Sequence, residues 1–414
     1  MAEEQKVWDT SYEWKAVTLL GLAFGLVGLD RWIIAPLLPS IMKDLNLDPA
    51  DAGTIIGALG LSWGIFAIIL GGMSDKIGRR KVLIPAIIGF SLLSGLSGMA
   101  TGLLSLVLIR IVMGMTEGSF CPTSFAATND ASHPKRLGIN QGLQQCGFAL
   151  FGLAVAPIIA TQLLGVMSWR WIFALVAVPG LILGILMYFV IREPQAQTAL
   201  PGHAVAKESW SALFKSRNIV ISMAALFCAM TGVFVLSGML PIYLTAYLKL
   251  TTEQMGFVAS AVGFGGFLGQ FGVPGLSDIL GRRTMAVLSF IGAAVMMYFF
   301  MQTGPTTGTL FAFLFVGAFF TLGNVALLTG PIATEAAPLG LVSSAIGIVV
   351  GSGEISAGIA QVIGGFIAKN YGIQYILWLP FGAVILGVLI SLFLKETAPR
   401  KIRSGTGNPV TAAA

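Results

Sequence analysis

Polar residues in this chain come in short clusters between long apolar runs. Twelve runs stand out, at about 17–41, 52–73, 82–101, 103–126, 137–164, 170–191, 218–243, 254–276, 284–302, 308–330, 339–368 and 373–394. Each is long enough for a helix to cross a bilayer core of about 30 Å. The polar stretch from Arg192 to Arg217, with Pro194 and Pro201, splits them six and six. The pattern predicts an all-α membrane protein of twelve transmembrane helices in two six-helix bundles, the layout of a duplicated unit. Residues 1–191 form the first bundle, 192–217 a linker and 218–396 the second bundle. Residues 397–414, short and polar with Gly, Pro and Ala, read as a disordered tail.

Composition agrees. Hydrophobic residues make up 56% of the chain and charged ones only 10%, against about 25% charged in a soluble domain. The 52 glycines allow membrane helices to approach closely. The net charge of +6 does not point to nucleic acid, because the bases are not gathered on a soluble module. They set topology instead. With both termini in the cytoplasm, 18 of the 24 Lys and Arg fall on cytoplasmic segments. Lys43, Arg170, Lys249 and Lys369 lie on the other side, and Arg31 and Arg110 lie inside spans. That bias predicts an N-in, C-in multi-pass protein of a plasma membrane, the bacterial inner membrane first. Cys121, Cys146 and Cys228 all sit in apolar runs, so no disulfide framework is expected. The first run is too long for the core of a cleaved signal peptide, so none is expected.

A loop motif occurs twice. Gly71-Gly72-Met73-Ser74-Asp75-Lys76-Ile77-Gly78-Arg79-Arg80 follows the second run, and Pro274-Gly275-Leu276-Ser277-Asp278-Ile279-Leu280-Gly281-Arg282-Arg283 follows the eighth. Asp75 and Asp278 lie 203 residues apart (278 − 75), about half the chain. Such a loop suits a conformational gate: the Asp can meet a helix N-terminus or a base, and the Arg residues can pair across the bundle interface. Gly71, Asp75, Gly78, Arg79, Arg80, Asp278, Arg282 and Arg283 are its candidate residues. The motif, the twelve runs and the central linker resemble the major facilitator superfamily over residues 14 to 396. The resemblance implies a central site between two bundles and transport by alternating access, with a monomer as the default.

Charges inside the runs mark the chemistry, because they are costly at that depth. Asp30 and Arg31 lie side by side in the first run. In the fourth, Arg110, Gly114 and Glu117 share a helix face at i, i+4 and i+7. Two acids and two bases nearly neutralise one another when paired. An unpaired carboxylate there is cheaper as the neutral acid and can exchange a proton near physiological pH. An ion pair that only glues helices is the competing reading. Asp-Arg in the first run with Arg-x-x-x-Gly-x-x-Glu-Gly in the fourth resembles the anion:cation symporter family. That resemblance implies proton-coupling roles for Asp30 and Glu117, organisation of Glu117 by Arg110, and attraction of the substrate anion by Arg31. Spinster-like lipid transporters look similar at the same positions.

The halves differ. An offset of 203 carries Asp30, Arg31, Arg110 and Glu117 onto Val233, Phe234, Phe313 and Phe320. The second bundle is therefore expected to offer an apolar wall to which Tyr243, Phe264, Phe267, Phe313 and Phe320 contribute. Glu354, in the eleventh run, breaks that pattern. It reads either as a third proton-coupling or substrate-contacting group facing the cavity, or as a neutral acid hydrogen-bonded to a neighbouring helix. Gln144 or Gln145, Asn324 and Gln361 can contact a ligand or bond across helices.

His133 and His203 are far apart and give no metal-ligand spacing. No phosphate-cradling loop or nucleophile motif appears. The chain is not expected to be an enzyme or to carry a cofactor, the proton gradient supplying the energy. The fifth run lacks the tight Gly-Pro spacing of drug antiporters. The leading expectation is proton-coupled uptake of a small organic carboxylate, aromatic or sugar acid, by Arg31, Arg110, Gln144, Asn324 and Tyr243. Its partners are the anion, protons and the lipid bilayer. The alternatives are proton-driven export of an amphiphile and a non-transporting sensor.

Overall fold

The computed structural model describes residues 9–70, 74, 77–133, 136–193, 211–338 and 342–398. Gly71, Asp75 and His203 lie outside the described residues, as do 194–210 of the linker and 399–414 of the tail. Among the described residues, twelve helices are long and apolar enough to cross a membrane. They are α1 (Thr10–Leu45), α2 (Pro49–Leu70), α3 (Arg79–Ser97), α4 (Leu103–Ala131), α5 (Ile139–Leu164) and α6 (Trp169–Val190) in the first bundle. The second holds α7 (Arg217–Tyr247), α8 (Thr252–Leu280), α9 (Arg282–Gln302), α10 (Thr307–Ala336), α11 (Ser344–Asn370) and α12 (Ile373–Ser391). No strand occurs among the described residues. In a bilayer core that is the expected outcome, since each backbone N–H must be met within its own segment. With an even number of crossings, α1 begins and α12 ends on one face, here called the terminal face.

Several of the helices are interrupted along their length. In α1 the regular helix stops at Trp32 and resumes at Ile34. Pro36 has no N–H to offer the Trp32 carbonyl, which loosens the turn directly after Asp30 and Arg31. Wide π-type turns interrupt α5 at Ala149–Val155, α7 at Tyr243–Tyr247 and α10 at Leu328–Ile332. Each lies beside or contains a proline: Pro157, Pro241 and Pro331. Such turns are frequent at functional sites.

The bundles meet along α2 with α11 and α5 with α8. Lipid is as apolar as leucine, so this contact depends on close packing rather than on expelling water. Gly64 of α2 is one position where the approach is close: a Cβ there would lie 3.2 Å from the Cβ of Glu354, tighter than an ordinary contact. Among the described residues two ion pairs cross between the bundles. Arg31 of α1 meets Glu354 of α11 at mid-membrane. Asp48, before α2, meets Lys369 near the end of α11 at 2.7 Å, on the face opposite the termini.

The reading of 397–414 as disordered needs correcting at its start. Thr397 and Ala398 are buried. Thr397 donates from its hydroxyl to Glu335 at 2.6 Å.

Candidate functional site

The five charged residues singled out inside the helices, Asp30, Arg31, Arg110, Glu117 and Glu354, are all buried. Their pairing differs from what adjacency in sequence implied. Successive helix residues point about 100° apart, so Asp30 and Arg31 do not share a face. Arg31 reaches across the bundle interface, and its Nη2 donates to Oε2 of Glu354 at 2.6 Å. Glu354 therefore has a partner, an arginine of the other bundle, and does not stand free in a cavity.

Aromatic rings wrap the Arg31 head. Its Cζ lies 4.6 Å from the Phe234 ring centre, 5.3 Å from Trp63 and 5.8 Å from Trp32. These separations suit cation–π attraction, which strengthens as water is excluded. Phe234 is the residue matching Arg31 under the 203-residue offset (234 − 31). The second bundle thus offers Arg31 a ring from its apolar wall and a carboxylate from Glu354. Taking two charges out of water costs several kcal/mol each, so removing either one leaves the other buried and unpaired, at a cost of about 3–5 kcal/mol.

Arg110 donates from Nη1 to the backbone carbonyl of Asp30 at 3.2 Å. Its Cζ stands 5.7 Å from the Phe173 ring. Its Nε and Nη2 have no hydrogen-bond partner among the described residues, and neither has either oxygen of Glu117. Arg110 and Glu117 are thus not hydrogen-bonded to each other, and Arg110 acts on Glu117 through its charge alone. Seven residues of helix span about 10.5 Å, and Arg110 is turned toward α1. Oδ1 of Asp30 is also buried without such a partner. The first bundle therefore holds two buried carboxyl groups with unmet oxygens beside two arginines with unmet N–H groups. Such an arrangement can take up or release protons, because the neutral acid is the cheaper form until a cation turns toward it.

The polar candidates lie elsewhere. Gln144 is buried between helices of the first bundle, donating to Ser124 at 2.8 Å and accepting from Thr128 at 2.6 Å. Asn324 of α10 donates to the Ala286 carbonyl of α9 at 3.4 Å. Gln361 donates to the Phe234 carbonyl. Tyr243 packs on Tyr247 and Phe300, nine residues, or about 13 Å of helix, beyond Phe234. None of these is drawn to the Arg31 group. For Gln144, Asn324 and Gln361 the interhelical reading describes what is seen.

At the terminal face, the contacts of the loop arginines among the described residues lie within their own bundles. Arg79 meets Asp130 at 3.2 Å, and Arg282 meets Glu335 at 2.9 Å and Asp278 at 2.7 Å. Arg80 donates to the Tyr188 carbonyl and Arg283 to that of Leu392. Gly78 and Gly281 hold φ values of +104° and +102°, which only glycine adopts without strain. Each turn is capped by a glutamate that the sequence reading passed over. Glu193 accepts from the N–H of Arg79 at 2.6 Å and of Arg80 at 3.1 Å. Glu396 accepts from Arg282 at 2.7 Å and Arg283 at 3.3 Å. They too are 203 residues apart (396 − 193), so the loop offset, carried to the ends of α6 and α12, would have found them.

Comparison with known proteins places this architecture. A sequence profile described as "Major Facilitator Superfamily" matches residues 20–245 and 222–413. The chain belongs to the Major Facilitator Superfamily. Relatives within the superfamily include a hexuronate transporter of Bacillus subtilis, 25% identical over 95% of each chain. A cis,cis-muconate transport protein of Acinetobacter baylyi is 26% identical over 93% of this chain and 95% of that one. The crystal structure of a D-xylose-proton symporter superposes with a TM-score of 0.77 at 20% identity, covering 93% of this chain and 99% of that one. That last likeness is one of fold.

Proposed function

We propose that this chain moves a small organic carboxylate into the cell together with protons, by alternating access of the two bundles. Arg31 is the anion-binding group, and Asp30 and Glu117 carry the protons. The observation that carries the reading is the carboxylate already seated on Arg31 at the bundle interface, in a cage of three aromatic rings. A site that holds the carboxylate of Glu354 has the charge and shape to hold that of a substrate. The relatives' names support this, since hexuronates and muconate are carboxylates. They also favour it over export of an amphiphile. Proton coupling is supported by the buried, unmet oxygens of Asp30 and Glu117. The excess of bases on the terminal face supports placing both termini in the cytoplasm.

The test is uptake of radiolabelled D-galacturonate and cis,cis-muconate by purified protein in liposomes. An inward proton gradient should drive accumulation of one or both. Asp30→Asn and Glu117→Gln should each abolish gradient-driven accumulation while one-for-one exchange of substrate continues. Uptake indifferent to pH, or full coupling retained in the double variant, would sink the proposal.

A further inference from the structure

The Arg31–Glu354 contact is one-sided. Nη2 of Arg31 makes it alone, at 2.6 Å. Nη1 is buried with no hydrogen-bond partner among the described residues. A guanidinium fork is shaped to grip a carboxylate through two parallel N–H···O bonds. Glu354 is not free to provide both. Its backbone is fixed in α11, against Gly64 of α2 on one side. On the other, Gly353 packs beside Leu226 and Met230 of α7. A carboxylate free to choose its pose would satisfy both arms.

We infer that Glu354 is a tethered stand-in for the substrate: it holds Arg31 while the site is empty and leaves as the neutral acid when a substrate carboxylate takes the fork. The inference rests on the carboxylate-transport reading above and adds a rule for charge. Arg31 with ionised Glu354 is neutral. Adding a substrate carboxylate while Glu354 stays ionised leaves one negative charge uncompensated in a buried site, at several kcal/mol. Adding one proton from solution to Glu354 restores neutrality. The ion pair, the substrate carboxylate and one proton become an Arg31–substrate pair and a neutral Glu354. The O–H bond to Glu354 is the only covalent bond formed, and none is broken in the substrate. The titratable groups facing Glu354 are Arg31 from α1 and Glu117 and Cys121 from α4. Gly64 of α2, which packs on Glu354, and Leu226 and Met230 of α7, which pack on the adjoining Gly353, do not titrate.

Two consequences follow. Binding of each carboxylate takes up one proton at Glu354, besides any at Asp30 or Glu117. Binding also cuts the mid-membrane tie between α1 and α11, so an arriving substrate loosens one of the contacts that hold the bundles together.

The experiment is calorimetric titration of the purified wild-type protein and Glu354→Gln with D-galacturonate and cis,cis-muconate. Two buffers of different ionisation enthalpy give the protons taken up on binding. Glu354→Gln should take up one proton fewer than wild type. Its affinity should fall with rising pH less steeply, by about tenfold per pH unit. Above neutral pH it should bind more tightly than wild type, having no competitor on Arg31. Glu354→Asp, one methylene short of the 2.6 Å contact, should also bind more tightly there while keeping a titratable group. It serves as the readout if the Gln variant does not fold. Equal proton uptake in wild type and Glu354→Gln, or weaker binding in Glu354→Asp, overturns the inference and leaves the transport reading standing. Absence of binding by wild type to either acid at any pH overturns the transport reading, and the exchange with it.

Discussion

At the scale of single residues, the identity of Arg31 matters as much as its charge. Its planar head lies against Phe234, Trp63 and Trp32 and spends one arm of its fork on Glu354. Lysine would keep the charge but lose the fork and the plane. One hydrogen bond to a charged group is worth about 1.5–3 kcal/mol. Arg31→Lys should therefore weaken carboxylate binding by about 10- to 150-fold while the protein still folds, as read by equilibrium binding beside a melting curve. Unchanged affinity would remove Arg31 from the binding role. The sequence made Asp30, Arg31, Arg110, Glu117 and Glu354 legible, because a charge inside an apolar run is visible without any structure; Glu13, fully buried but ahead of the first run, was not. The Arg31–Glu354 partnership was not legible, because the two residues are 323 positions apart and sit in different bundles. Adjacency favoured Asp30 as the partner of Arg31, and helix geometry overrules adjacency.

At the scale of elements, twelve runs became twelve helices, and their ends carry the information the hydropathy pattern lacked. The fourth run ends near 126 by apolarity, yet α4 continues to Ala131. Its polar last turn supplies Asp130 to Arg79, so the extension is held by the loop cluster and not by lipid. Glu193 and Glu396 cap the first turns of α3 and α9, where two free N–H groups and the positive end of the helix dipole favour a carboxylate. Losing a cap of this kind costs about 0.5–2 kcal/mol. Glu193→Ala and Glu396→Ala should each lower the melting temperature of the detergent-purified protein, with additive effects because the caps lie in separate bundles. A double variant as stable as wild type would show that the caps do not support the fold. The break in α1 was foreshadowed by Pro36, while the π-type turn at Ala149–Val155 had only Pro157 to signal it and no periodicity to place it.

At the scale of the whole molecule, α11 is tied to the first bundle at two depths, by Glu354 at mid-membrane and by Lys369 at the face opposite the termini. Opening that face requires both ties to break, and they respond to protons differently. Asp48 accepts from Lys369 and from the N–H groups of Asp51 and Ala50, which together hold its carboxyl below the usual carboxylate range. A carboxyl lowered in this way stabilises the closed face at any pH above the ordinary carboxylate value of about 4, and the effect fades only as pH falls through the lowered value. At every pH above that ordinary carboxylate value the outer tie is constant. It is an exposed pair, so its contribution is small, but it is a fixed bias on the equilibrium and not a proton trigger. Any pH sensitivity of opening must then come from the buried carboxyl groups. Lys369→Gln should raise the fraction open on that face by the same factor at about pH 5.5 and about pH 7.5, measured as spin-label distances between the outer ends of α2 and α11. Glu354→Gln should raise it more at the higher pH, where the proposed exchange keeps Glu354 on Arg31. If Lys369→Gln alone altered the pH dependence of opening, the proton switch would lie at the outer tie, and the division of labour along α11 would be wrong.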